Sequence, residues 1–220
     1  MSDENDEGRI KHKLIASKEK WARDGRLLTG APDEAHTKRL PPGQKLVTNW
    51  PVLDLGLQPD VPTNEWRLTV DGLVENPIAL SFEAYVKLPQ SESVSDVHCV
   101  TQWSRFDNHW KGVASRDLIA LVRPKAEARH VIFHSHDGYT TNVAFDVFAA
   151  DDVIIAHEWE GAPLAREHGG PVRIVIPRFY FWKSAKWVKR IEFSRDDKPG
   201  FWEVRGYHNV GDPWKEERYG

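Results

Sequence analysis

In EWRLTVDGLV, residues 65 to 74, apolar and polar positions alternate. Trp66, Leu68 and Val70 fall on one side of an extended chain, and Asp71-Gly72 marks a turn. LSFEAYVKLP, 80 to 89, breaks the two-residue period. Ser81 is an N-cap candidate and Pro89 a stop, which predicts a short helix. SVSDVHCV, 93 to 100, alternates weakly and predicts a strand that delivers Cys99 at or near its end. A Trp-Lys-Gly turn is expected at 110 to 112, then a second short helix in VASRDLIALVRP, 113 to 124, ended by Pro124. ARHVIFHSHDGY, 128 to 139, reads as a strand closed by a turn at Asp137-Gly138. A short helical segment follows, then a strand at 153 to 157 that runs into a turn at Glu160-Gly161. Residues 169 to 196 hold two strands around a loop. In the first, Val172, Ile174 and Ile176 share one face and Arg173 takes the other; Trp187, Val188 and Ile191 belong to the second.

The remaining segments set the organisation. Residues 1 to 20 are polar and charged, as in a disordered arm or a short surface helix. Residues 21 to 48 are loop-rich and expected to drape over the main body, and proline-punctuated 49 to 62 cannot be helical. The expected layout is a partly disordered N-terminal arm at 1–39, a domain at 40–195, and an irregular C-terminal tail at 196–220 packed on it. Short strands interspersed with short helices, without a repeat, predict a mixed α+β domain and not a doubly wound sheet.

Composition narrows the function classes. With 220 residues the chain can bury a full core, and 40% apolar with 29% charged residues fits a soluble globular protein. The net charge of −3 offers no electrostatic argument for nucleic acid. No stretch approaches the roughly 18 apolar residues of a membrane span. One cysteine makes no internal disulfide, and the acidic start MSDENDEGRIKHKL has no secretion-signal pattern, so the expected compartment is cytoplasmic.

Candidate chemistry begins at Cys99, which is open to three readings: a buried thiol, a nucleophile with a histidine base, or a thiolate ligand to a soft metal. His134 and His136 lie two apart on a strand, a spacing that suits one side of a metal site or a polar surface. The run REHGGPVRIVIPRFYFWKSAKW concentrates His168, Arg173, Arg178, Lys183, Ser184 and Lys186, either an anion site or a solvated basic face. Gly169 and Gly170 let backbone come close to something bulky. Tyr207 and His208 either donate to a substrate or belong to a packed strap. Nucleotide-binding glycine motifs are missing.

Four segments, in order and spacing, resemble the sulfite-oxidase-type molybdopterin oxidoreductase family over roughly residues 40 to 195. LVENPIALSFEAYVKLP is similar to its "G-x-V-x-x-P-x-x-L" segment before a short helix. VHCVTQWS…WKGV is similar to the "C-V-x-x-W-S…W-x-G" signature around the molybdenum-ligating cysteine. HGGPVRIVIP is similar to its pterin-binding "G-x-P-V-R-[LIV]-[LIV]-[LIV]-P", and WKSAKWVKRIEF to its "K-[SG]-x-K-[WS]-[LIV]". With Thr101, Gln102 and Trp103 after the cysteine, the variant is closer to periplasmic methionine sulfoxide reductase catalytic subunits than to animal sulfite oxidases. The best match is to compact, cytoplasmic bacterial members without a haem or immunoglobulin-like domain.

The resemblance implies a mainly β molybdopterin-binding fold with short helices, and two-electron oxygen-atom transfer on a small sulfite-like or S-/N-oxide substrate. It makes Cys99 the protein ligand to molybdenum. It implies pterin and phosphate contacts at Asn49, Trp50, Ser135, His168, Arg173, Ser184, Ala185 and Lys186. Arg105, His109 and Tyr207 are candidates for the substrate pocket. Electrons would pass through a separate partner, a cytochrome or flavoprotein. The alternative is a non-catalytic molybdopterin carrier that keeps the anion site at His168, Arg173 and Lys186.

Overall fold

The computed structural model describes residues 3–24 and 38–220. In chain order its elements are α1 (Asp3–Asp24), β1 (Lys45–Leu46), β2 (Arg67–Gly72), β3 (Ile78–Ser81), α2 (Phe82–Val86), β4 (Ser91–His98), β5 (Trp103–Ala114) and α3 (Ser115–Val122). They continue with β6 (His130–Ser135), β7 (Thr140–Ala144), α4 (Phe145–Phe148), β8 (Ile154–Trp159), β9 (Ala162–Pro163), β10 (Arg173–Val175) and β11 (Val188–Ser194). This is the mixed, mainly β arrangement with short helices that the resemblance implies.

One sheet runs β3-β2-β11-β6-β7, with β2 and β11 parallel and the other pairs antiparallel. The other runs β1-β5-β8-β10, with β4 added on β5 and β9 on β8. The strand alternation divides two cores. Trp66, Leu68, Val70, Ile155, Val172, Ile174 and Ile191 meet between the sheets, where Trp66 Nε1 donates to Val188 O. Ile154, Ala156 and Val175 point to the opposite face, among Val97, Cys99, Trp103, Tyr180 and Tyr207. Arg173, on the strand face opposite Ile174, is thereby directed at the second cluster, as its alternation predicts.

The short helices obey their end signals. Ser81 Oγ accepts from Ala84 N at the start of α2. α3 stops at Arg123, which adopts left-handed backbone ahead of Pro124. Segment 49–62 contains neither helix nor strand.

Four expectations change. Trp110-Lys111-Gly112 is not a turn; it lies within β5, paired with Trp159, Glu158 and Ala156. A Cβ on Gly112 would come 1.9 Å from Ile155 O, so this glycine serves close strand approach. Asp71-Gly72 likewise stays in β2, where Gly72 pairs with Phe193 and the chain bends only afterwards. The helical reading after residue 139 holds only for α4, because 140–144 form β7, whose buried Thr141 and Asn142 are satisfied by Glu203 and Lys183. The amino-terminal segment forms a long helix, α1, with Ala22 and Lys18 buried against the body. Residues 25–37, part of the loop-rich reading of 21–48, lie outside the described residues.

Candidate active site

Cys99 follows β4 directly and opens the tight link into β5. Its N–H donates to Trp103 O and its carbonyl accepts from Gln102 N. Side chains from distant segments hold the same link: Gln44 Nε2 donates to Cys99 O, and Arg218 Nη1 donates to Val100 O at 2.8 Å. Sγ lies 3.2 Å from Thr101 Oγ1. Burial pushes the thiol pKa up, while the Thr101 hydrogen bond and the charges of Lys18 and Arg218 act in the opposite sense. His98, the adjacent histidine, turns away to Ser104 Oγ at 2.8 Å and is not a base for Cys99.

Cys99 opens on a cavity that it shares with Trp50, Thr101, Trp103, Tyr139, Arg173, Ser184, Lys186 and Tyr207. Arg173 is 1% exposed. Its guanidinium donates to the backbone oxygens of His168 and Ser184 and lies 4.2 Å from the Phe181 ring centroid. Lys186 Nζ donates to Glu167 O, and burial, together with the charges of Arg173 and Lys18, brings its pKa to about 7. Ser184 Oγ accepts from Ile176 N. His168 stacks flat on Trp50, and burial with the charges of Arg173 and Lys186 lowers its pKa to about 4. Tyr207 stacks on Trp202, and burial drives its phenol pKa far upward.

Other expected residues stand elsewhere. Arg105 is drawn to Glu160 and Asn108 and lies 4.7 Å over the Trp159 ring; it is not a wall of the cavity. His109 and Asn49 are exposed and also outside the lining. Ala185 is buried in the inter-sheet core, with its carbonyl accepting from Ile174 N. Ser135 closes β6 with its Oγ buried and unpartnered among the described residues. His134 pairs with Glu192 beside Arg190, and no three His, Cys, Asp or Glu side chains form a metal cluster among the described residues. Arg178 pairs with Asp152 at the surface and Lys183 is buried against Glu203. The Gly169 and Gly170 approaches are to the chain itself: a Cβ would meet Lys186 or Leu164 O.

Sequence reasoning missed Lys18, Asp54, Tyr139, Trp182 and Trp202 in the lining. A signal existed for Lys18: Ile15, Lys18 and Ala22 recur at the spacing of one helix face.

Nitrogens without a protein partner among the described residues also remain in the cavity wall, at Trp103, and behind it, at His168. Trp103 Nε1 and His168 Nδ1 are buried and unpartnered among the described residues. A thiol, unpartnered donors, aromatic walls and buried cations suit an aromatic, anionic, thiophilic group. A sequence profile described as "Oxidoreductase molybdopterin binding domain" matches residues 56–202. The chain belongs to the sulfite-oxidase-type molybdopterin oxidoreductase family. Within that family it is 48% identical to "Uncharacterized oxidoreductase YuiH" of Bacillus subtilis, over 82% of this chain and 92% of that protein. It is 28% identical to the protein-methionine-sulfoxide reductase catalytic subunit MsrP of Campylobacter jejuni, over 64% of this chain. The matched region is 53% of MsrP, so the chain spans about half of that relative. The fold is shared with the sulfane dehydrogenase SoxCD from Paracoccus pantotrophus at a TM-score of 0.58 and 22% identity, over 63% of this chain and 40% of that one. As a member of the family, the chain is an oxidoreductase with a molybdopterin-binding domain. No helix among the described residues is long and apolar enough to cross a membrane.

Proposed function

We propose that this oxidoreductase carries out two-electron oxygen-atom transfer on a small substrate, sulfite-like or an S- or N-oxide, with Cys99 as the protein ligand to molybdenum. The observation that carries this reading is the shared cavity: Cys99 opens onto the same space as buried Arg173 and half-buried Lys186. When bound, molybdenum–molybdopterin supplies the redox chemistry.

The chain's own residues do the rest. Cys99 would hold molybdenum through its sulfur, a soft ligand, and burial favours its protonated form until then. Gln44 and Arg218 fix the link that carries it, which holds the ligand direction before anything binds. Trp50, backed by the stacked His168, forms a flat wall for the pterin, and Arg173, Ser184 and Lys186 hold its anionic end. Ser135, at the end of β6, has a buried hydroxyl without a partner among the described residues. Tyr207 stays protonated and donates to a substrate oxygen. Electrons pass to or from a separate cytochrome or flavoprotein.

The test is molybdenum and pterin analysis of protein from cofactor-producing cells, for the wild type and Cys99→Ser, followed by turnover with sulfite, sulfoxides and N-oxides. One molybdenum and one pterin per wild-type chain, with turnover lost in Cys99→Ser, is the expected result. Wild-type protein holding neither overturns the proposal.

A further inference from the structure

α1 reaches the cavity from outside the matched region. Ala22 is 3% exposed in the second core cluster, and Ile15 packs against that cluster. Tyr219 Oη donates to Glu19 O, and the Arg23 guanidinium lies 5.8 Å from the Tyr219 ring centroid. These contacts seat the helix so that Lys18, 9% exposed, becomes part of the cavity wall with Cys99, Arg173 and Lys186.

The cations of this wall direct their hydrogen bonds to backbone oxygens. Lys18 Nζ donates to the backbone oxygen of Asp54. Lys186 and Arg173 also donate to backbone oxygens, not to carboxylates. The Asp54 carboxylate is taken by Gln58 Nε2 at 2.6 Å and Gly56 N at 2.8 Å. Burial works against its charge, but those bonds and the charges of Lys186 and Lys18 hold Asp54 below the usual carboxylate range. Burial also lowers the Lys18 pKa, to about 8, against the attraction of Asp54 and Cys99. Lys18, Arg173 and Lys186 share this largely buried space with the carboxylates of Asp54 and Asp137, yet their hydrogen bonds go to backbone oxygens, so the cations outnumber the carboxylates and suit a further anion.

We propose that Lys18, carried in by α1, is the third cation of an oxyanion site shared with Arg173 and Lys186. Lys18 is a positioning residue for a tetrahedral oxyanion, which comes either from the terminal phosphate of the cofactor or from an oxyanion substrate. Where the anion is the cofactor's, this rests on the molybdopterin reading; the site itself does not. α1 is then a working wall of the active site and not an appendage.

The experiment compares wild type with Lys18→Gln, Lys18→Arg and, on the exposed side of the helix, Lys20→Gln. Each is prepared from cofactor-producing cells. Pterin and molybdenum are measured before and after prolonged dialysis, and inorganic phosphate is titrated against the fluorescence of the cavity tryptophans. Melting temperature reports whether α1 remains docked. If the anion is the cofactor's, Lys18→Gln releases pterin about tenfold faster, the effect expected for one charge-assisted hydrogen bond, and phosphate does not bind the loaded wild type. If the anion is substrate, pterin release is unchanged and phosphate binds the loaded wild type about tenfold more tightly than Lys18→Gln. In both cases Lys18→Arg restores the property and Lys20→Gln leaves it alone.

Wild type that holds no pterin but binds phosphate through Lys18 overturns the molybdopterin reading and supports this site. Pterin retention and phosphate affinity both unchanged in Lys18→Gln overturn the site, as does Lys18→Arg failing as badly as Lys18→Gln. Wild type binding neither pterin nor phosphate overturns both. Should Lys18→Gln fail to fold, Lys18→Met, which keeps the aliphatic stem, carries the same comparison.

Discussion

His168 lies flat against Trp50, with ring centroids 3.8 Å apart and planes 6° from parallel. The pair joins a segment before the first core strands to the turn before β10. The imidazole is neutral at ordinary pH because burial and two nearby cations oppose its charge. A neutral ring behind an indole supports the Trp50 wall by shape and dispersion, without adding a fourth cation beside the cavity.

Trp50→Ala is expected to remove that wall. Trp50 is half-buried, so the loss in urea unfolding of the apoprotein should be about 2 kcal/mol, below the range for a fully buried tryptophan. Pterin retention should fall more than stability does. Equal retention in the variant and wild type would exclude Trp50 from cofactor binding.

Acid should act on the same pair. His168 has a folded pKa of about 4 against an ordinary 6.5, so unfolding takes up a proton between those values. Its stabilising effect is complete above pH 6.5 and lost as pH falls toward 4, by about 3 kcal/mol at most. In urea unfolding at stepped pH, His168→Asn is expected to flatten that part of the acid slope. An unchanged slope would place the proton uptake elsewhere, His98 being the other histidine lowered to about 4.

Lys183 and Glu203 form a buried ion pair at 2.6 Å, with side chains 0% and 1% exposed. Thr141 Oγ1 and Trp182 Nε1 donate to the same carboxylate oxygen, so the pair fastens the tail to β7. Lys183→Met alone strands a buried carboxylate and is expected to cost about 3–5 kcal/mol. The double variant Lys183→Met with Glu203→Leu should recover most of that. A double-mutant cycle by chemical denaturation reads the coupling directly.

Ser81→Ala tests a smaller element. It removes the bond from Ala84 N and is expected to cost about 1 kcal/mol in the same unfolding assay, with the cavity unaffected.

Local chemistry made much of this fold legible. The Ser81 cap, the stops at Pro89 and Pro124, and the alternation around Arg173 each depend on neighbours in sequence, and each is found as expected. Signals failed where distant partners decide. Gly112 looks like a turn residue until Ile155 O is seen against it. Thr141 and Asn142 look too polar for a buried strand until Glu203 and Lys183 are placed. Of the residues that line the cavity, Cys99, Trp50, Arg173, Ser184, Lys186 and Tyr207 could be named from the sequence, and so could His168 stacked behind Trp50. Arg105 could not be steered correctly, because Glu160 and Trp159 hold it across strands. Lys18 shares a helix face with Ile15 and Ala22, but that spacing does not say which part of the body the face packs against.

The parallel pairing of β2 with β11 has a kinetic consequence. Val70 meets Ile191 with most of the domain strung between them, and no hairpin can bring them together. Such closure is entropically slow, so productive folding should wait on the docking of β11. The loop holding Ser184 and Lys186 leads straight into that strand, which leaves partly folded species without a finished receptor. Ligand therefore captures molecules after the slow event: it should retard unfolding and leave the refolding rate nearly unchanged.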